Sequence, residues 1–318
     1  MAFLVTGSSG CIGAWTVAIL HGLGVPVVGA DVSDDHRRLR YLLSDAEIDR
    51  VRFEQVDVTS LESVTRVTAA AGITNIVHLA GLQVPFCRAD PVLGAQVNVV
   101  GTATILEAAR RSDGKVKGVS YASSLAVYGP PELYPNARVD DGSPLAPATL
   151  YGIYKQADEG IALRYAADYG LGSVGLRPTI VYGPGRDQGL TSDPTKAMLA
   201  VAAGGPGHIG FGGRSVLHHA EDVANAFISA AQIEGADGRA LNVPGSEVAL
   251  DQVAQAIRNF VPGAEVTVDS TPLPFPEGVD SSSFVRLVGA EIRPLDQGVA
   301  DSIEHFRRLL AEGLIEPS

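Results

Sequence analysis

The chain has 318 residues and a net charge of −12, from 36 Asp plus Glu against 24 Lys plus Arg. Such a surface repels phosphate backbones, and the densest basic cluster, His36-Arg37-Arg38 with Arg40, is too small to make a nucleic-acid footprint. Apolar residues at 46% and charged residues at 19% are those of a globular protein, and two cysteines, Cys11 and Cys87, give neither a disulfide framework nor a metal-ligand spacing.

Taken in chain order, the first 180 residues alternate short apolar runs with longer helical patterns. Strands are predicted at 2–6, 25–30, 51–56, 76–79, 118–122 and 173–177, and helices near 12–23, 36–47, 60–71, 91–111 and 148–169. Several of the strands are apolar throughout, as strands covered on both faces are, so the class is α/β with a doubly wound parallel sheet. Beyond residue 180, Gly183-Pro184-Gly185, Gly204-Gly205-Pro206-Gly207 and Pro272-Leu-Pro-Phe-Pro276 break the pattern. A helix at 221–232 and a strand at 240–243 are expected to return to the main sheet. Residues 1–180 with about 216–243 then form a nucleotide-binding domain, and about 181–215 with 244–318 form a smaller C-terminal lobe over the sheet's carboxyl edge, where open α/β sheets bind ligands. No basic run precedes an apolar stretch at the N-terminus, and no run approaches the ~20 apolar residues of a membrane helix. The expectation is a cytoplasmic protein without a membrane partner.

The first predicted strand runs into Thr6-Gly7-Ser8-Ser9-Gly10-Cys11-Ile12-Gly13 and then at once into a helix. Glycines at this spacing permit a tight turn and close backbone approach to a pyrophosphate, while the helix start offers free N–H groups and a positive dipole end. Gly7, Ser9, Gly10, Cys11, Ile12 and Gly13 are therefore predicted to bind a dinucleotide on a Rossmann-type sheet. Asp31, just after the second strand, is placed to accept both adenosine ribose hydroxyls and to repel a 2′-phosphate, which favours NAD. His36-Arg37-Arg38 is the competing signal, since it offers charge to a 2′-phosphate. Asp57 and Val58 follow the third strand, where an adenine edge is contacted; Asp57 is equally placed to cap the next helix.

Tyr151 and Lys155 stand at i and i+4, on one helix face. A free phenol, with a pKa of ~10, is a poor base at neutral pH, and a neighbouring ammonium stabilises its phenolate. The pair is suited to moving a proton to or from an alcohol or carbonyl oxygen.

With these residues, the sequence resembles the extended short-chain dehydrogenase/reductases, in their branch of NAD-dependent epimerases and dehydratases. The resemblance runs through Thr6-Gly7-x-x-Gly10-x-x-Gly13, Asp31, Asp57, His78-Leu-Ala-Gly81, Asn98, Ser123-Ser124-Leu-Ala-Val-Tyr128-Gly129, Tyr151-x-x-x-Lys155 and Arg177-Pro178-x-x-Val-Tyr182-Gly183-Pro184-Gly185. It implies that Ser124 bonds the reacting oxygen, that Tyr151 moves the proton, and that Lys155 tunes Tyr151 and binds the nicotinamide ribose. It further implies that Leu79, Ala80 and Gly81 line the cofactor cleft, that Pro178 and the residues after it pack on the nicotinamide, and that Asn98 is mainly architectural. Ser123 is a second donor or a buried, backbone-bonded hydroxyl. His78 reads as a core histidine, and His219 as a residue bordering the substrate lobe. A homodimer through the helices at 91–111 and 148–169 is expected from the same resemblance.

The family's sugar-nucleotide enzymes show an Asn early in the lobe and a later Arg…Asp pair; both are missing from Arg186–Lys196 and from Val268–Pro276. A smaller sugar, sugar acid or similar hydroxy compound is therefore the expected substrate, with Arg186, Lys196 and Arg214 as candidate anion binders. Leu125-Ala126 after Ser124 argues against dehydration. A net dehydrogenase leads, an NAD-retaining UDP-sugar 4-epimerase is the alternative, and a cofactor sensor without catalysis is remote because Tyr151 and Lys155 are intact.

Overall fold

The computed structural model describes residues 1–316. Its strands are β1 (Phe3–Thr6), β2 (Val27–Asp31), β3 (Arg52–Gln55), β4 (Asn75–His78), β5 (Gly118–Ala122), β6 (Arg138–Val139), β7 (Ser173–Arg177), β8 (Ile180–Tyr182), β9 (Gly207–Ile209), β10 (Arg214–His219), β11 (Ala240–Asn242), β12 (Ser246–Ala249), β13 (Val266–Val268) and β14 (Gly278–Val279). Its helices are α1 (Cys11–Gly22), α2 (Arg37–Arg40), α3 (Asp45–Ile48), α4 (Leu61–Ala70), α5 (Val84–Ala89), α6 (Pro91–Ala95), α7 (Gly101–Arg110), α8 (Leu150–Tyr169), α9 (Asp193–Ala202), α10 (Ala220–Ala231), α11 (Leu250–Phe260), α12 (Ser282–Leu287) and α13 (Leu295–Ala311).

Seven strands make one parallel sheet in the order β3-β2-β1-β4-β5-β7-β11. Side-chain alternation explains why β1 is apolar at every core position. Phe3 and Val5 join the core shared with Val17 of α1 and Phe227 of α10, while Leu4 joins the opposite core with Val64 and Ile105. Helices α1 and α10 cover one face, and α4, α7 and α8 cover the other. The strand order reverses between β1 and β4, which opens a crevice at their carboxyl ends.

The remaining strands build the lobe. β8, β10 and β12 pair in a second sheet, β9 pairs with β13, and β6 with β14. Around β8, β9, β10 and β13 a separate core gathers Ile180, Tyr182, Met198, Phe211, Leu217, Ile257 and Phe306, while Val139 of β6 and Val279 of β14 pack with Leu125, Val127 and Tyr128.

Two predicted helices are divided. The run 36–47 splits into α2 and α3 because the helix restarts at Ser44, whose N–H and hydroxyl both donate to Glu47 Oε2, at 2.9 and 2.6 Å. The run 91–111 starts cleanly, with Asp90 capping Leu93 N at 3.0 Å and Pro91 in the first turn, but widens into a π-helical turn at Gln96–Val100. The helical run Pro91–Arg110 also corrects the expectation that no segment has the length and apolarity of a membrane span. An 18-residue window within its 20 residues has a mean hydropathy of 1.3, with half of that window buried, and its α7 portion packs against α4 and α8.

Candidate active site

The cofactor cradle forms where β1 turns into α1. Gly7 has φ +71°, and a Cβ there would lie 2.6 Å from Ala80 N; one on Gly13 would lie 2.0 Å from Gly7 O. These clashes explain the glycines, because the turn, the helix start and the end of β4 touch backbone to backbone. Gly10 precedes α1 with no side-chain cap, so the first amides of the helix are left for a ligand at Cys11, Ile12 and Gly13, all three on the cavity wall. Asp31 ends β2 and accepts Ser9 N at 3.0 Å and Ser33 N at 3.2 Å, which aims its carboxylate at the same loop. The residues present fit a dinucleotide: a cradle closed to any Cβ, free amides for a pyrophosphate and a carboxylate for a ribose.

The cavity they open encloses about 1260 Å³ of empty space out to its mouth, and continues past Leu79, Gly81 and Leu82 to Ser123, Ser124, Tyr151, Lys155 and Pro178. Elements distant in sequence supply these groups. Thr149 caps α8 through Gly152 N at 3.0 Å, and a Cβ on Gly152 would lie 2.1 Å from Ala126 O. That contact presses the start of α8 against the turn Leu125–Val127 and so brings Tyr151 beside Ser124. Ser124 follows β5 and accepts Ala126 N at 3.2 Å. Lys155 Nζ lies 5.9 Å from the Tyr151 ring centroid and is 4% exposed.

Lys155 is buried against a carboxylate that sequence reading missed. Its Nζ donates to Asp158 Oδ2 at 3.1 Å, and Asp158 is 0% exposed with Oδ1 unpartnered. Burial alone would push the ammonium down; Asp158 and Tyr151 outweigh it and hold Lys155 above its ordinary range. Burial pushes the Asp158 carboxyl up to about 6, against the pull of Lys155. The signal lay in the helix register, since Asp158 stands at i+3 from Lys155, on the same buried face.

Ser123 turns away from the reacting site and donates its hydroxyl to Glu159, which is held by Arg177 at 2.7 Å through both carboxylate oxygens. Asn98 fixes the loop after β4, accepting Leu82 N at 3.2 Å and donating to Gly94 O at 2.9 Å. His78 bridges Thr6 and Thr102 by its two ring nitrogens, and burial pushes it down to about 3. His218 positions Thr179, beside Pro178: its Nε2 accepts Thr179 N at 3.0 Å while Nδ1 meets Pro244 O at 2.9 Å, an arrangement that requires the neutral ring, and burial pushes the group down to about 4.

On the adenosine side, Asp57 accepts Thr59 N at 2.9 Å and shapes the turn, while Ser60 caps α4. Val58 packs at Gly101 of α7. Of the predicted substrate residues, only Arg186 and Ser123 reach the cavity wall. Lys196 lies 3.9 Å from Asp193 and is half-exposed, and exposed Arg214 donates to Glu247 O at 3.2 Å. His219 caps α10 and packs edge-on to Trp15 and Tyr182; it is absent from the wall because the strand carrying it buries it behind Gly183. Sequence reading also missed Gln83, Thr191, Leu273 and Phe275, which line the cavity from loops with no periodic signal.

Hydride exchange between an alcohol carbon and a nicotinamide ring needs a proton carrier and an oxygen-holding donor at the same oxygen, and Tyr151 and Ser124, which have that chemistry, both line this cavity. With the glycine cradle, they define a nicotinamide-dependent oxidoreductase of the short-chain dehydrogenase/reductase type. The chain belongs to the NAD-dependent epimerase/dehydratase family, whose model matches residues 3–243. It is 31% identical over 319 aligned positions to a UDP-glucose 4-epimerase of Mycolicibacterium smegmatis, covering 96% of this chain and 99% of that protein. Among solved structures it resembles the UDP-glucose 4-epimerase of Thermus thermophilus in complex with NAD, at 26% identity and TM-score 0.79, over 96% of this chain and 99% of the other. It also resembles MoeE5 in complex with UDP-glucuronic acid and NAD, at 27% identity and TM-score 0.77, over 97% and 99%. The enzyme is NAD-dependent; NAD supplies the hydride acceptor when bound. The residues that would hold it are those of the Gly7–Gly13 loop and Asp31, with Tyr151 and Lys155 further along the same cavity wall.

Proposed function

We propose that the enzyme oxidises a secondary alcohol of a sugar-derived substrate bearing an anionic group, with Tyr151 taking the hydroxyl proton, Ser124 bonding the oxygen and Arg186 holding the anion. The carrying observation is a set of three buried polar atoms without partners in residues that line this cavity: Gln83 Oε1, Thr179 Oγ1 and Arg186 Nε. Buried groups of this kind are normally satisfied, so their ligand is one that brings both an acceptor charge and hydroxyl donors. Arg186 makes a single side-chain bond, Nη2 to Thr191 Oγ1 at 3.3 Å, and no ion pair among the described residues. A carboxylate is its natural complement. Arg186→Met is expected to lower kcat/KM for carboxylated substrates about 10- to 100-fold, with Arg186→Lys recovering part of the loss. A change below about twofold removes the anion site from this reading.

A second reading is favoured by the full-length similarity to a UDP-glucose 4-epimerase: the same residues oxidise the alcohol and return the hydride to the other face, with NAD kept bound. The missing Asn and Arg…Asp pair weigh against it. Product formed from a UDP-sugar without NADH release would establish it.

The homodimer also belongs here as a proposal. Val92, Leu93 and Val100 on the run 91–110 and Leu150, Ile153 and Leu163 on α8 are exposed apolar side chains on the two elements expected to pair. Light scattering at micromolar concentration is expected to report a dimer, and a monomer contradicts it.

A further inference from the structure

The two arginines nearest the adenosine end of the cradle are already engaged, and by a residue of the other lobe. The Arg38 side chain is 11% exposed. It donates Nη1 to Ser9 O at 2.9 Å, Nε to Gly185 O at 3.0 Å and Nη2 to Asp187 Oδ1 at 2.6 Å. Ser9 in turn gives its N–H to Asp31 Oδ2 at 3.0 Å, so one residue of the glycine-rich loop links the guanidinium to the ribose carboxylate. Arg37 Nη2 reaches the other oxygen of Asp187 at 3.4 Å, with Asp35 4.0 Å from its Nε. The loop bearing Asp187 is held in place independently, because Trp15 Nε1 donates to Pro184 O at 3.0 Å.

A guanidinium beside this ribose is what accommodates the 2′-phosphate of NADP. Here the cations are present, and Asp187 neutralises them. We propose that Asp187 is a cofactor-specificity residue: by occupying Arg37 and Arg38 it denies a 2′-phosphate its counter-charge, and so adds to the selection of NAD by Asp31. The electrostatics are additive in sign. A 2′-phosphate would meet the Asp31 carboxylate directly and two arginines already spent on a second carboxylate. Removing the Asp187 charge leaves Arg38 Nη2 and Arg37 Nη2 without their shared counter-charge, next to the place where the phosphate would lie. The proposal rests on Asp31 meeting the adenosine ribose.

Direct binding tests it without turnover. Dissociation constants for NAD and for NADP are measured by calorimetry and by quenching of Trp15, the chain's single tryptophan. Asp187→Asn is expected to shift the NAD-to-NADP affinity ratio toward NADP by about tenfold, the worth of one hydrogen bond to a charged group. Adding Arg38→Gln to Asp187→Asn is expected to reverse most of that shift, because the gain runs through the freed guanidinium. Asp31→Ala is the parallel variant. A ratio that moves with Asp31→Ala and stays fixed with Asp187→Asn overturns the proposal while leaving the ribose site intact. A ratio fixed in both overturns the ribose reading as well. A loss of affinity equal for both cofactors assigns Asp187 to loop structure alone and also overturns the proposal.

Discussion

Tyr151→Phe is expected to lower kcat by about 10²- to 10⁴-fold while leaving the dissociation constant of NAD and the unfolding midpoint near those of the parent. The substitution keeps the ring and removes only the hydroxyl, so the packing of the α8 start against Leu125–Val127 persists. Lys155 keeps Asp158 as its partner at 3.1 Å and stays in place. What disappears is the group proposed to take the proton from the substrate hydroxyl; water in the gap is a poor substitute, because the helix does not fix it at the substrate oxygen. Steady-state kinetics together with NAD titration decide the matter. A loss of less than roughly threefold would remove Tyr151 from the proton's path.

The largest effect on stability is expected at Glu159. The Arg177 side chain is 4% exposed and that of Glu159 5%, joined by two bonds of 2.7 Å, with Arg177 Nη1 also donating to Tyr128 OH at 2.6 Å. Burial alone would push the Arg177 guanidinium down, but the Glu159 carboxylate more than offsets this and holds it above its ordinary range. The pair ties α8, which carries Tyr151 and Lys155, to the end of β7 and, through Ser123, to the residue before Ser124. Replacing two buried charges together is often nearly neutral, whereas removing one partner leaves the other uncompensated. Glu159→Ala is therefore expected to destabilise by about 3–5 kcal/mol in urea unfolding, and Glu159→Gln/Arg177→Met by less than Glu159→Ala alone. A loss below about 1 kcal/mol for Glu159→Ala would show that water reaches Arg177 and relieves it. The outcome bears on catalysis too, since the same carboxylate helps to fix where α8 lies.

What was legible in the sequence is what backbone periodicity and local chemistry encode. The six strands expected in the first 180 residues are present, and most are legible because a parallel sheet covered on both faces leaves few polar positions to confuse the pattern; the edge strand β3, with Arg52, Glu54 and Gln55, is the exception. The glycine loop and the Tyr151–Lys155 spacing were equally readable, each being a geometric demand on a few consecutive residues. The C-terminal lobe was harder. Its strands β8, β9, β13 and β14 are two or three residues long, too short for alternation to register. The substrate wall was least legible, since Gln83, Thr191 and Phe275 come together only through tertiary packing. Lys196, Arg214 and His219 illustrate the same limit: residue type and position suggested a place at the substrate, but the fold turns the first two to the surface and buries the third.

The most direct test of this mechanism is absorbance at 340 nm when the purified enzyme and NAD meet carboxylated sugar derivatives alongside their neutral counterparts. NADH is expected to accumulate with a carboxylated substrate, far more slowly with its neutral analogue, and not measurably with the Tyr151→Phe enzyme. The mechanism would be contradicted if no such substrate gave NADH while a UDP-sugar was converted to its epimer with the cofactor retained, or if NADH formed equally well without the Tyr151 hydroxyl.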